Sequence, residues 1–225
     1  MIDVGRFGLP PAPARILDVG AAAGGNSVAL ADAGFDVTAI EIEPDLAVAA
    51  SGRGVAVCVG DGTRLPLQDG AFDGAVVVEV FEHVPDPALL VAELARVVRS
   101  RGRVCVALPT AYTERVFRRL HPRYASNAGH VRSYERAEVA GLLDRSGFDL
   151  AEVRTENLVP AISWLFHALL RSDSDQTGAI LQHQWVDRVL RVVVGVWRRV
   201  PLLRRTYESL DGRVGKSWYF VGVRR

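Results

Sequence analysis

Asp18-Val19-Gly20-Ala21-Ala22-Ala23-Gly24 joins an apolar run to a helical pattern. Small residues there let a ligand approach the main chain closely, and the start of a helix offers N–H groups with no intrahelical partner. Three acids stand at comparable junctions: Glu41 after a second apolar run, Asp61 with Gly62 after a third, and Glu79 after a fourth. An acid in the place of Glu41 can accept hydrogen bonds from a ribose diol. Asp61 and Gly62 are placed to meet an adenine amino group through carboxylate or main chain. Together they suit a nucleotide-like ligand lying outside the carboxyl ends of parallel strands. The turn alone also fits a tight βα connection packed for its own sake. NAD is a competing ligand, but dinucleotide sites read G-x-G-x-x-G and Ala22 stands at the second glycine.

A second constellation is Glu79-x-x-Glu82-His83. If the chain turns helical there, the three share one face, because positions three and four apart are neighbours on a helix. Two carboxylates and an imidazole suit a partly hydrated magnesium or manganese ion better than a closed zinc site. His83 as a cap of the next helix, or as a general base, is the alternative.

These residues need a frame, and the chain supplies one. It has 225 residues and 24.4 kDa, enough to bury a core as one large domain or one domain with a cap. Hydrophobic residues make up 49% and charged residues 24%, a globular balance, and a net charge of +1 argues against a dedicated nucleic-acid binder. Cys58 and Cys105 exclude a disulfide framework and a four-cysteine zinc site; both fall in β-like runs and read as small buried hydrophobes of a reducing compartment. No secretory pattern and no transmembrane stretch is read, so a cytoplasmic protein is expected.

Apolar runs at Arg15–Gly20, Asp36–Glu41, Gly54–Val59, Phe72–Val80 and Arg103–Leu108 alternate with helical patterns at Gly24–Gly34, Glu43–Ser51 and Asp86–Arg99. Continuous apolar strands with intervening helices imply βαβ units and a parallel sheet covered on both faces. Thr110–His130 is polar and arginine-rich and reads as a connection. A helix over Glu135–Ser146, a sixth strand over Phe148–Thr155 and a last strand over Ser217–Arg224 follow. The expected fold is α/β: a Rossmann-like seven-stranded, mostly parallel sheet, with a helical insertion at about 157–216 in a single domain.

The segments ILDVGAAAGG, VTAIEIEP, GDGTRLPLQDGAFD, VVVEVFEHVPDP, ELARVVRSRGRV and GHVRSYERAEVAGLLDRSGF, in this order, resemble the class I S-adenosylmethionine-dependent methyltransferases. The resemblance implies a last strand running antiparallel. It implies that Asp18, Gly20, Ala22 and Gly24 hold the methionine part of the cofactor, Glu41 the ribose, and Asp61 and Gly62 the adenine, with Glu79 beside them. Asp18 and the Asp61-Gly62 pair fit this cofactor better than NAD. Ala22 departs from the family's usual glycine, and replacing it with glycine is expected to cost modest stability through chain entropy. EVFEHVPDP resembles the ubiquinone-biosynthesis O-methyltransferases and the small-RNA 2′-O-methyltransferases, in which Glu-x-x-Glu-His is associated with a divalent metal near the acceptor. By that likeness His130 completes a set with Glu79, Glu82 and His83, and Glu82 and His83 are the candidate catalytic residues. Tyr112, His121, Tyr124 and Tyr134 fall where acceptors bind in such proteins, and read as loop packing; His167 and His183 read as core or surface residues.

Within 157–210, apolar Val186, Val189, Leu190, Val193, Val196, Trp197 and Val200 share a helical spacing, with Asp187, Arg188, Arg191, Arg198 and Arg199 opposite. An ordinary packed extension, a lid over an apolar acceptor and a basic anchor on an anionic membrane all fit. The expectation is methyl transfer to a hydroxyl of a small-molecule or lipid-like acceptor, with N- or C-methylation, or a non-catalytic cofactor-binding or peripheral membrane protein, as alternatives.

Overall fold

In a computed structural model, residues 4–120, 129–156 and 215–225 are described. The first strand, β1 (Arg15–Val19), pairs in parallel with β2 (Asp36–Glu41) on one side and with β4 (Phe72–Val78) on the other. β3 (Ala56–Val59) extends the sheet beyond β2, and β5 (Val98–Pro109) extends it beyond β4, both in parallel. With β6 (Phe148–Glu156) and β7 (Ser217–Arg224) the order is β3-β2-β1-β4-β5-β7-β6. The chain winds outward from β1 in one direction and returns at β4 to wind in the other. Ligands bind at such a reversal because the two diverging connections leave a crevice at the strands' carboxyl ends. The expected α/β sheet is thus the one formed, and β2 and β7 have the bounds read from the sequence.

Side chains alternate across each strand, and both parities are buried. Ile16, Val76, Cys105 and Ala107 share a cluster with Leu30 of α1 (Gly25–Asp32). Leu17, Ala75, Val77, Val104 and Val106, of the other parity, are equally inaccessible. Both faces of the central strands are therefore covered, which is why their sequences are continuous apolar runs. α2 (Pro44–Ser51) starts with proline in its first turn, where the missing N–H costs nothing. α3 (Pro87–Val97) buries Leu90, Val91, Leu94 and Val97, and Asp86 caps it by accepting the Ala88 N–H at 3.1 Å. That cap fills the role considered for His83.

Cys105 is buried as expected, but Cys58 is exposed. β3 ends the sheet on one side, so its outward positions meet solvent despite an apolar sequence.

Among the described residues, 4–108, 136–153 and 219–225 form one compact unit, and 109–120, 129–135, 154–156 and 215–218 belong to a second. The first carries the sheet and, besides α1–α3, the helix Arg136–Arg145. The second contains α4 (Ala111–Leu120), where the sequence reads as a connection. Α4 is helical because a polar, arginine-rich segment still buries a narrow stripe, Ala111, Thr113 and Glu114. We number Arg136–Arg145 α5. Tyr134 is buried under the Arg132 guanidinium, 4.5 Å from its ring centre, and Tyr112 is exposed. His121, Tyr124, His167, His183 and the expected insertion at 157–210 lie outside the described residues.

Candidate active site

The turn after β1 is held by backbone. Gly20 N–H donates to Ile40 O at 2.8 Å and Ala21 N–H to the same oxygen at 3.2 Å, so the turn hangs on the end of β2. Gly20 has φ +74, and a Cβ there would run into Val80; only glycine satisfies both demands. Gly24, at φ +80, precedes α1 as its N-cap.

Ala22 is also left-handed, at φ +48. Its exposed position leaves its methyl group toward solvent, while its N–H donates to Glu41 Oε2 at 2.7 Å. This reverses the expectation for Ala22→Gly. A left-handed L-residue costs about 1–2 kcal/mol, more than the chain entropy that glycine adds, about 0.4–1 kcal/mol. Ala22→Gly should therefore unfold at the same temperature as the parent or slightly higher, and bind S-adenosylmethionine as tightly or more tightly. A lowered midpoint would show that the turn's strain lies elsewhere.

Asp18, at the end of β1, is fully buried. Its Oδ2 accepts the Ser27 hydroxyl at 2.5 Å, and its Oδ1 finds no hydrogen-bond partner among the described residues. Burial pushes its pKa up to about 6 from 3.8; the Ser27 hydrogen bond opposes this and the nearby Glu41 charge adds to it. A pKa raised on folding favours the fold fully below pH 3.8, and the advantage is lost as pH rises through about 6. The corresponding free energy is up to about 3 kcal/mol. In the absence of ligand, stability should fall across that window, and Asp18→Asn should flatten the fall. Urea midpoints of both proteins from pH 4 to pH 7 check this; parallel profiles would contradict it.

Glu41 ends β2 with only 5% of its surface exposed. Besides Ala22 N–H, it accepts Glu43 N–H at 3.0 Å through Oε1. One carboxylate therefore ties the small-residue turn to the start of α2. Ile42, next to it, is 61% exposed, an apolar platform that sequence reading missed. Its signal is a hydrophobic residue between two acids just beyond a strand.

Asp61 is exposed, with Oδ1 accepting Thr63 N–H at 2.8 Å. Gly62 passes so near β1 that a Cβ would lie 2.8 Å from Val19 Cγ1. Arg96 of α3 fixes the loop beyond: it donates to Leu65 O, Leu67 O and Asp69 while Glu93 bonds its guanidinium and the Leu65 N–H. Hydrogen bonds to Glu93 and Asp69 hold Arg96 charged, its pKa raised.

Beyond β4 the structure corrects the expected helix. Glu79 is left-handed at φ +55, its N–H donating to Ala107 O at 2.7 Å. Only Phe81–His83 turns, as a 3₁₀ helix, and Val84 is already extended. Pro85 explains this, since the residue before proline is pushed out of the helical region. Glu79, Glu82 and His83 therefore do not share a helical face. Glu82 is buried and His83 exposed, but their donor atoms still lie within 4.8 Å of one another. His130 belongs to the second unit, where its Nδ1 is 3.1 Å from Glu114 Oε1.

A doubly wound sheet with a small-residue turn and strand-end acids at its reversal defines a nucleotide-cofactor fold. Residues 17–106 match the family model of a methyltransferase domain. The chain is 32% identical over 218 residues to 2-methyl-6-phytyl-1,4-hydroquinone methyltransferase of Synechocystis, covering 87% of this chain and 63% of that protein. It is 32% identical over 162 residues to a ubiquinone biosynthesis O-methyltransferase of Xanthomonas axonopodis pv. citri, covering 64% of this chain and 66% of that protein. It thus spans slightly less than two thirds of these two relatives' lengths. An S-adenosylmethionine-dependent methyltransferase from Thermotoga maritima superposes with a TM-score of 0.63 at 18% identity, over 96% of this chain and 84% of that one. Residues 17–106 carry a methyltransferase domain, and the chain has the fold of the class I S-adenosylmethionine-dependent methyltransferases.

The residues present fit that family's cofactor. A buried, unpartnered carboxylate oxygen on Asp18, a carboxylate at the end of β2 and a turn of small residues are the donor set and clearance it requires. No helix of the described residues is long and apolar enough to cross a membrane.

Proposed function

We propose that this protein moves the methyl group of S-adenosylmethionine to a hydroxyl of a small-molecule or lipid-like acceptor, the whole chain acting as one methyltransferase domain in the cytoplasm. The observation that carries this reading is Glu41, a nearly buried carboxylate that joins the small-residue turn to the end of β2. The cofactor, when bound, supplies an already activated methyl group. The chain's work is then to bind, to align and to take away a proton.

Glu41 accepts hydrogen bonds from the ribose hydroxyls, and Ile42 packs against the adenine face. Asp61 and the Gly62 main chain meet the adenine edge. Asp18, with Gly20, Ala22 and Gly24, holds the methionine end, and Glu79 flanks it. With no metal on it, His83, exposed beside the Glu82 carboxylate, is the group to take the acceptor's proton.

A magnesium or manganese ion is the second group proposed. The Glu82 carboxylate and His83 imidazole fit it by donor type and mutual reach. Glu79 and His130 are the further ligands proposed. Such a cation supplies positive charge that makes a hydroxyl easier to deprotonate. The names of the relatives, a hydroquinone methyltransferase and a ubiquinone biosynthesis enzyme, support a phenolic acceptor carrying a lipid tail. The apolar and basic sequence of 157–210 supports contact of that tail, or of this chain, with a membrane surface.

Incubation with methyl-labelled S-adenosylmethionine and a panel of prenylated hydroquinones, simple phenols, amines and RNA tests the reading. Label on an oxygen of a phenolic acceptor is expected. Label on nitrogen or ring carbon would replace O-methylation, and cofactor binding without transfer to any acceptor would leave a binding protein.

A further inference from the structure

Charge divides unevenly along the chain. The stretches 109–135 and 154–218 hold fifteen Lys and Arg against eight Asp and Glu, and the rest holds twelve against eighteen. A net charge of +1 thus hides a basic part and an acidic part. The described residues of the second unit fall in the basic part, and of their three acids Glu114 and Glu156 are buried and Glu135 is exposed. In α4, Tyr112, Arg115 and Arg119 stand at i, i+3 and i+7 and share one helical face, with Arg118 beside them. All four are exposed, Tyr112 by 68%, while Thr113 and Glu114 are buried. Arg115 donates to Glu135 at 3.4 Å, but both side chains are 72% exposed, and an ion pair so open to water contributes little. Arg115 also donates to Ala111 O at 3.3 Å, and Arg118 Nε is 3.9 Å from Glu114 Oε2, beyond hydrogen-bond reach. A guanidinium has five N–H donors, so these contacts leave each arginine able to meet a further anion.

We propose that this face of α4 is a docking surface for the anionic headgroups of a phospholipid bilayer. Guanidinium groups make paired hydrogen bonds to phosphate and stay charged at every working pH. A tyrosine settles at the level of the headgroups, with its ring toward the acyl chains and its hydroxyl in water. The purpose of such docking rests on the reading above: an acceptor with a lipid tail resides in a bilayer, and a protein held there meets it without a search through water. The docking itself needs neither cofactor nor acceptor. RNA also offers phosphates to arginine and bases to a tyrosine ring. The apolar residues set among the arginines of 157–210 favour lipid, because RNA gives them nothing to be buried in.

The test is flotation of the full chain, without cofactor or acceptor, on vesicles of phosphatidylcholine alone and of phosphatidylcholine mixed with phosphatidylglycerol. Binding to the anionic vesicles only is expected, and salt should reverse it, because surface charge is screened within a Debye length. Each arginine near such a surface contributes about fivefold to partitioning. The combined variant Arg115→Gln, Arg118→Gln, Arg119→Gln should therefore bind about 100-fold more weakly and unfold at the parent's midpoint. Arg119→Gln alone should bind about fivefold more weakly, and it serves if the triple variant fails to fold. Binding of the parent to neither vesicle, or equally to both, overturns the proposal. Undiminished binding by the folded triple variant, or by Arg119→Gln if it alone folds, also overturns it. Tighter binding to a structured RNA than to the anionic vesicles, lost in the same variants, would assign the face to nucleic acid instead. Methyl transfer to a short-chain phenol in solution separates the two readings. Its absence with vesicle binding intact counts against the function proposed above, and its presence without vesicle binding counts against the docking surface.

Discussion

Glu41→Ala is expected to weaken S-adenosylmethionine binding at least tenfold while leaving the sheet intact. Hydrogen bonds to a charged group contribute about 1.5–3 kcal/mol each, so losing even one ribose contact gives about a tenfold change. The structure enlarges the expected effect. Glu41 also accepts the N–H groups of Ala22 and Glu43, so alanine unties the turn that must cradle the methionine end. The β2 register depends on backbone pairing with β1 and β3 and survives the change. Glu41→Gln separates the two roles. It keeps one acceptor oxygen and removes the charge, and its affinity should fall between the parent and alanine. Calorimetric affinity equal to the parent in Glu41→Ala would sink the ribose assignment.

The second large effect concerns the acceptor side. Glu82→Gln should lower turnover by about 10²–10⁴-fold, the range for losing a group that handles the transferred proton. Cofactor affinity should not change, since the ribose and adenine contacts sit on β2 and β3. Exhaustive chelation should reproduce the loss, and magnesium or manganese should restore it. Full activity in the chelated protein would remove the metal. His83 would then stand alone as the base, and His83→Asn should carry the loss. Because Glu82 is buried, its variant must also be shown to unfold near the parent's midpoint.

Most of the frame was legible because buried parallel strands write themselves as apolar runs. Asp36–Glu41 and Ser217–Arg224 came out with their observed ends. The acids at Asp18, Glu41 and Asp61 were legible for the same reason, since each is the first polar break near a strand end. Three features were not. Edge and centre of a parallel sheet share one composition, so Cys58 looked as buried as Cys105. The helical face assumed for Glu79, Glu82 and His83 ignored the restriction that Pro85 puts on Val84, and that restriction stops the turn after three residues. The partnership of Glu114 with His130 depends on burial of a carboxylate in an arginine-rich helix, which no periodicity reports. Ala22 is an intermediate case. Its departure from glycine was visible, but its left-handed backbone, which sets the sign of the stability effect, is a property of the folded turn.

Amide hydrogen exchange with and without S-adenosylmethionine tests the central assignment most directly, because it reads both binding and place. Slower exchange is expected at Gly20–Gly24, at Glu41–Glu43 and at Asp61–Thr63, and NAD should produce none of it. Unchanged exchange in all three segments at saturating cofactor, or protection by NAD instead, would contradict the assignment.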